Sequence, residues 1–345
     1  MLILKNMTKN KITVNMVSES EFSIQGHGVH TAFKEMTNAL TSRTDIEIEV
    51  NSKKKSDIVH LHTVGPYSLV KLNSRYGKKV VSAHIIPDSL VGSIVGAKYW
   101  RRVAKSWLKF FYGKADLVLA CSGMVRDELV NNLGLNNVDT LYNTVRMEHY
   151  KWTLEERRQA RQSLGVADDE FVVVGNGQVQ PRKKIDTFIA MAKSKPEARV
   201  FWVGGMPFKV AAADGLNMQK MIDTTPKNVT FTGVIPLEDV RKYYTIADVF
   251  VLPSSQENHP MCVLEAAGAG LPIILRDIPE YDDTFRGDVL MAKDDQEFVT
   301  LLDSLENDIP LREEYREKAK NIAKRFDSAT GAELVVEFYR SLLKD

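Results

Sequence analysis

VLPSSQENHPMCVLEAAGAGLPIIL, residues 251–275, is the stretch from which the fold is read. An apolar run ends at Leu252, a polar loop carries Glu257, and a helix predicted from about Pro260 holds Glu265. Proline suits a first helical turn because its missing N–H would have been unpaired there. The other early amides remain open to an anion such as a diphosphate. Glu257 and Glu265, eight positions apart, can grip different parts of one ligand, and sugar or ribose hydroxyls are natural donors to them. Without the flanking strand and the glycine-rich helix, the same pair would read as solvated surface acids.

Similar strands recur in both directions. ITVNMV, DIVHLHT, KKVVSAHII, DLVLACS and VDTLYN come first; after Glu155 follow FVVVGNG, ARVFWVGG, NVTFTG, DVFVLPSS and LPIILRD. Apolar strands alternating with helical patterns predict parallel α/β sheets covered on both faces. Two series predict two Rossmann-like domains. The polar stretch at 147–164 separates them, so the first domain is expected over 1–150 and the second over 151–326. The tail 327–345 has apolar residues at helical spacing and predicts a helix.

The chain has 345 residues, 44% of them hydrophobic and 26% charged, enough for two domains of roughly 100–200 residues each. A net charge of +1 points away from nucleic acid as a partner. Cys121 and Cys262 have no metal-ligand or redox-motif spacing, which fits a reducing, cytoplasmic compartment. No segment reaches the ~18 consecutive apolar residues of a membrane span, so a membrane would be met at its surface.

Ligands of open parallel sheets sit beyond the carboxyl ends of strands, on loops leading into helices. Gly26 and Gly28 lie between ITVNMV and a helical pattern, where they form either a phosphate cradle or an ordinary turn. His84, after KKVVSAHII, is either a ligand to a sugar hydroxyl or phosphate or a satisfied loop histidine. His60 and His62 alternate within a strand and read as structural, with no third metal ligand nearby. Arg182, Lys183 and Lys184 follow a strand and Gly175-x-Gly177, where they either neutralise a diphosphate or remain solvated. The glycines do not complete a G-x-G-x-x-G pattern, which argues against an NAD-linked enzyme.

With these residues in view, the chain resembles glycosyltransferase family 4, whose second domain carries a glutamate, seven residues and another glutamate, here Glu257 and Glu265. The likeness spans nearly the whole chain and includes the N-terminal glycine loop, His84, Ser122, Asn143 and TIADVFVLPS around Asp248. It implies a GT-B fold, with two Rossmann-like domains facing across a cleft, the nucleotide sugar on the second domain and the acceptor on the first. It also implies that the final helix returns to the first domain. Carried over, Glu265 holds the ribose, Glu257 and His84 contact the donor hexose, and Gly233 and Val234 line the base. Asn258, His259 and Met261 offer backbone amides, while Pro260 cannot. Many relatives have an arginine where this chain has Gln178; Lys183 matches the family lysine, and Arg182 is the candidate replacement cation. The family retains anomeric configuration without a protein nucleophile. No two aspartates are separated by a single residue, so the D-x-D metal motif is missing and neither metal nor cofactor is expected.

Between Asp88 and Asp116 there is no acidic residue. On a helical wheel, Trp100, Val103, Trp107, Phe110 and Phe111 cluster opposite Lys98, Arg101, Arg102, Lys105 and Lys109. The pattern is that of a helix lying in an anionic bilayer interface, the alternative being a helix packed on its own domain with a solvated basic face. Within family 4, residues 18–32, 80–89 and 256–272 are similar to bacterial glycolipid synthases. That resemblance implies transfer from a UDP-hexose, galactose favoured over glucose, to a glycolipid acceptor, monoglucosyl-diacylglycerol, at the cytoplasmic face of the membrane. A polysaccharide enzyme with a lipid-diphosphate acceptor and a UDP-sugar 2-epimerase remain the alternatives.

Overall fold

The computed structural model describes residues 11–22, 28–90, 97–206 and 215–344. The first series forms one six-stranded parallel sheet from β1 (Ile12–Val17), β2 (Ile46–Val50), β3 (Ile58–Leu61), β4 (Lys78–Ala83), β5 (Leu117–Ala120) and β6 (Val138–Thr140), in the order β2-β1-β3-β4-β5-β6. The second comprises β7 (Val172–Asn176), β8 (Arg199–Val203), β9 (Val229–Phe231), β10 (Val249–Leu252), β11 (Ile273–Arg276) and β12 (Leu290–Ala292), in the order β12-β11-β10-β7-β8-β9. β3, β5 and β10 are buried at every position, as strands covered on both faces must be.

Each order reverses once, between β1 and β3 in the first sheet and between β7 and β10 in the second. At such a point the loops after neighbouring strands run off to opposite faces and leave a crevice, where open α/β sheets bind ligands. Both crevices open onto a single cavity of about 1240 Å³, lined by residues of both domains. That exceeds the roughly 300–1,000 Å³ usual for one small ligand, leaving room for two substrates.

Helices α1 (Gly28–Thr41), α2 (Pro66–Leu72), α3 (Ala97–Tyr112), α4 (Leu237–Ile246), α5 (Met261–Gly268) and α6 (Ser328–Leu342) position the residues discussed below. Although α6 ends the chain, its Val335, Val336 and Tyr339 are buried in the core of the first sheet with Phe33 and Leu40. The chain therefore crosses between the sheets twice, and the crossings brace each other. Val145 and Asp327 form a parallel bridge, with the Val145 amide donating to the Phe326 carbonyl (3.1 Å) and the Ser328 amide to the Val145 carbonyl (3.0 Å). Glu35 of α1 accepts from the Arg146 amide at 2.8 Å beside them.

His60 is fully buried in β3, between the Tyr339 hydroxyl (Nδ1, 2.5 Å) and the Ser82 hydroxyl (Nε2, 2.8 Å). Burial holds its pKa down at about 3, so it is a neutral structural pin between sheet and last helix. Tyr339→Phe would leave one buried ring nitrogen without its partner. We expect it to lower unfolding stability by about 1–3 kcal/mol, read from the urea midpoint.

Candidate active site

The β7/β10 crevice is closed by an ion cluster. β10 ends at Leu252, and the loop 253–260 leads into α5, whose N-terminus has Pro260 as its cap residue and no capping side chain. Glu257 on this loop is 5% exposed. Its Oε1 lies 2.5 Å from Lys183 Nζ and 3.1 Å from Arg182 Nη1. Burial pushes the carboxyl pKa up, but the charges of Lys183 and Arg182 outweigh it and hold the group at about 2. Both cations stand on the loop after β7, in the short turn Pro181–Lys183. Gly177, at φ 152°, allows the approach: a Cβ there would meet Lys183 Cε at 2.9 Å.

Gln178 accepts from Gln180 Nε2 at 2.6 Å, and Gln180 Oε1 accepts from Arg182 Nε at 3.2 Å. Arg182 is thereby steered toward the carboxylate that Lys183 also holds. The positive charge of this loop sits on adjacent residues at one end of the crevice.

Glu265 lies about one turn into α5 in a different environment. It is 3% exposed, and its Oε2 accepts from the Tyr244 hydroxyl of α4 at 2.6 Å and from Asn176 Nδ2 at 3.5 Å. Burial raises its pKa to about 7; hydrogen bonds from Tyr244 and Tyr150 pull down, and the charge of Glu35 pushes up. No lysine or arginine among the described residues forms a salt bridge with it. A carboxylate held this way is suited to neutral hydroxyl donors. Tyr150 and Tyr244 were not singled out from sequence: one lies in the connector, the other in an ordinary amphipathic helix.

From the first domain, His84 follows β4 and lines the cavity. Its Nε2 lies 3.2 Å from His62 Nδ1, and its carbonyl accepts from Asn258 Nδ2 at 2.9 Å, so the Glu257 loop touches the opposite domain directly. Gly28, Arg182, Lys183, Val234, Asn258, Met261 and Glu265 line the same cavity. Gly233, at φ +69°, packs against Gly205 behind Val234. Gly26 lies outside the described residues. The His259 ring is taken by the structure: Nδ1 accepts from the Asn143 amide (3.1 Å), its carbonyl accepts from Asn143 Nδ2 (2.8 Å), and the ring stacks on Phe285. What His259 can offer a ligand is its backbone amide. Ser122 caps the helix beginning at Gly123, and Asp248 binds Arg157 and Arg161 (2.7 and 2.8 Å), so both are structural.

The wheel reading of α3 is corrected in part. Phe111 is fully buried in the first domain's core, as are Leu108 and Tyr112, and Trp107 packs on that core while donating to the Val64 carbonyl at 3.1 Å. Phe111 and Trp107 therefore serve the domain, because the stripe that packs inward is wider than the wheel suggests. Val103 (57%) and Phe110 (49%) remain exposed, with Arg101, Arg102, Lys105 and Lys109 around them. Arg101 pairs with Asp88 at 2.6 Å. The side chains of Lys98 and Trp100 lie outside the described residues. Among the described residues no helix is long and apolar enough to cross a membrane.

The raised pKa of Glu265 has a measurable consequence. Between the ordinary value of 4.5 and the folded value of about 7, the folded chain holds a proton that the unfolded chain has released. Its contribution is complete below the lower value and lost as pH rises through the upper one. Wild-type stability should fall from about pH 5 to about pH 8 relative to Glu265→Gln, with a differential on the order of 3 kcal/mol read from urea midpoints at both pH values.

Known proteins resemble this chain in sequence and in fold. The profile "Glycosyl transferases group 1" matches residues 156–322, and "Glycosyltransferase Family 4" matches residues 28–149. The chain is 32% identical to the alpha-galactosylglucosyldiacylglycerol synthase of Streptococcus pneumoniae over 98% of its own length and 91% of the relative's. It is 25% identical to the processive diacylglycerol alpha-glucosyltransferase of Acholeplasma laidlawii, over 85% and 87% of the two chains. Anabaena HepE, solved with UDP and glucose, superposes with a TM-score of 0.78 at 18% identity over 96% of this chain and 100% of that one, a likeness of fold. The chain belongs to glycosyltransferase family 4, a hexosyltransferase of the GT-B fold related to the diacylglycerol glycosyltransferases.

Proposed function

We propose that the chain transfers a hexose from a UDP-hexose, with retention of configuration, to monoglucosyl-diacylglycerol at the membrane surface, with galactose favoured over glucose as the transferred sugar. The observation that carries this reading is the Arg182–Lys183–Glu257 cluster beside the uncapped start of α5, facing His84 across the cavity. The likeness to two diacylglycerol glycosyltransferases over most of the chain supports the glycolipid acceptor. The exposed basic and apolar surface of α3 supports a membrane location.

In this reading the diphosphate replaces the Glu257 carboxylate as partner of Lys183 and Arg182, and the first amides of α5 bind its oxygens. Glu257, released from those cations, accepts from the donor hexose together with His84, and Glu265 accepts from the ribose hydroxyls. The bond from the anomeric carbon to the diphosphate breaks as the acceptor oxygen bonds the same face. The departing phosphate takes the acceptor's proton, and Lys183 and Arg182 stabilise the growing charge. The protein contributes positioning and a pre-arranged field.

The deciding experiment offers labelled UDP-galactose and UDP-glucose to monoglucosyl-diacylglycerol in anionic vesicles; a chain that moves neither sugar to this lipid refutes the proposal. Glu257→Ala should lower transfer at least about a hundredfold with the circular dichroism spectrum unchanged, whereas wild-type turnover would remove the site assignment. Replacing Arg101, Arg102 and Lys105 by serine should weaken binding to anionic vesicles by roughly tenfold to a hundredfold at low salt. The gap should close as salt is raised, and identical flotation at every salt concentration would return α3 to a purely structural role.

A further inference from the structure

We propose that Glu19 and the loop Thr63–Gly65 form the subsite for the acceptor's sugar, with the Glu19 carboxylate accepting hydrogen bonds from its hydroxyls; this rests on the glycolipid-transfer reading above.

The first sheet reverses between β1 and β3, and Glu19 and Thr63 follow those two strands. This is the second of the molecule's two crevices, and it opens onto the cavity that also holds the ion cluster.

Glu19 Oε1 accepts from the Ser68 amide at 3.0 Å, which caps α2, a helix whose own cap residue, Gly65, has no side chain to do so. The Glu19 amide donates to Thr63 Oγ1 at 3.1 Å, and that hydroxyl shares a hydrogen bond with buried Ser68 Oγ at 2.7 Å. The side chain is thus anchored at both ends. Its second oxygen, Oε2, has no protein donor and no ion-pair partner among the described residues, unlike Glu257 with two cations and Glu21 with Lys34. It lies against Gly65, where a Cβ would fall 1.9 Å away, so the site as built requires glycine at that position. A pre-positioned carboxylate oxygen in a half-buried crevice suits a neutral polyhydroxyl ligand. It would repel a phosphate-bearing acceptor placed there.

Trp107 Nε1 donates to the carbonyl of Val64 and the Tyr112 hydroxyl to that of Ile85, so α3 meets the cavity wall at this loop and at the neighbouring one after β4. A sugar whose lipid tail stays in a bilayer beneath Val103 and Phe110 would enter the cavity here.

The test measures steady-state transfer to monoglucosyl-diacylglycerol in phosphatidylglycerol-containing vesicles, and UDP affinity by calorimetry, on the full chain. Glu19→Gln keeps an acceptor for the Ser68 amide but loses the charge. Gly65→Ala keeps the charge but displaces the carboxylate. Both should raise the acceptor KM about tenfold with UDP affinity within about twofold of wild type. Wild-type acceptor KM in both variants overturns the subsite and leaves the transfer reading standing, as does an equal loss of UDP affinity in both. A wild-type chain that transfers nothing to this glycolipid overturns subsite and function together.

Discussion

The buried contact of Glu257 with Lys183 and Arg182 governs the second domain's half of the molecule. Leaving Glu257 or Lys183 in the interior without a partner would cost about 3–5 kcal/mol, so the loops that carry them are obliged to meet. Backbone contacts follow from the same approach: the Ser255 amide donates to the Arg182 carbonyl at 2.8 Å, and Arg182 donates to the Gln256 carbonyl at 3.0 Å. The loop after β7 and the loop after β10 thus form one wall. In the proposed reaction a diphosphate takes over as partner of the two cations, and the hexose hydroxyls that donate to Glu257 compensate its buried charge.

The two glutamates of the motif are chemically divided by their surroundings. Glu257, beside two cations, stays ionised down to about pH 2. Glu265, surrounded by tyrosine hydroxyls and apolar side chains, gives up its proton only near pH 7. Tyr150 bonds to Glu265 and lies just beyond the bridge between the two chain crossings, where Glu35 of the first domain also contacts the backbone. The far end of the candidate nucleotide site is therefore in contact with the connection between domains, and the near end touches the first domain through Asn258 and His84. Both ends register how the two sheets face one another.

The first domain is organised on similar lines with different chemistry. Its crevice carries an anchored carboxylate with an open oxygen where the other has cations, and its wall is tied to α3 through Trp107. α3 serves two masters: Leu108, Phe111 and Tyr112 stabilise the core, while Val103, Phe110 and the basic residues remain outside. One helix thus carries exposed apolar and basic side chains on its outer side and, through Trp107, a contact to the cavity wall on its inner side.

Strand periodicity made the two sheets legible from sequence, because a fully buried parallel strand needs an unbroken apolar run whatever surrounds it. The spacing of Glu257 and Glu265 across a strand, loop and proline-started helix was legible for the same reason: local geometry alone sets it. Pairing partners were not, since Lys183 and Glu257 are separated by 74 positions and only the β7/β10 reversal joins them. Nor could a wheel tell which aromatic residues of α3 face inward, because that depends on where the domain's own core lies. The role of Glu19 was equally hidden, as its partners come from the next strand's loop and its value lies in a glycine that makes room for it. Sequence by itself determined the elements and the chemical character of the site, which are local properties of a chain. Tertiary structure alone decided which charges are paired, which acids are ionised and which surfaces are left for substrate, because burial and long-range approach set those energies.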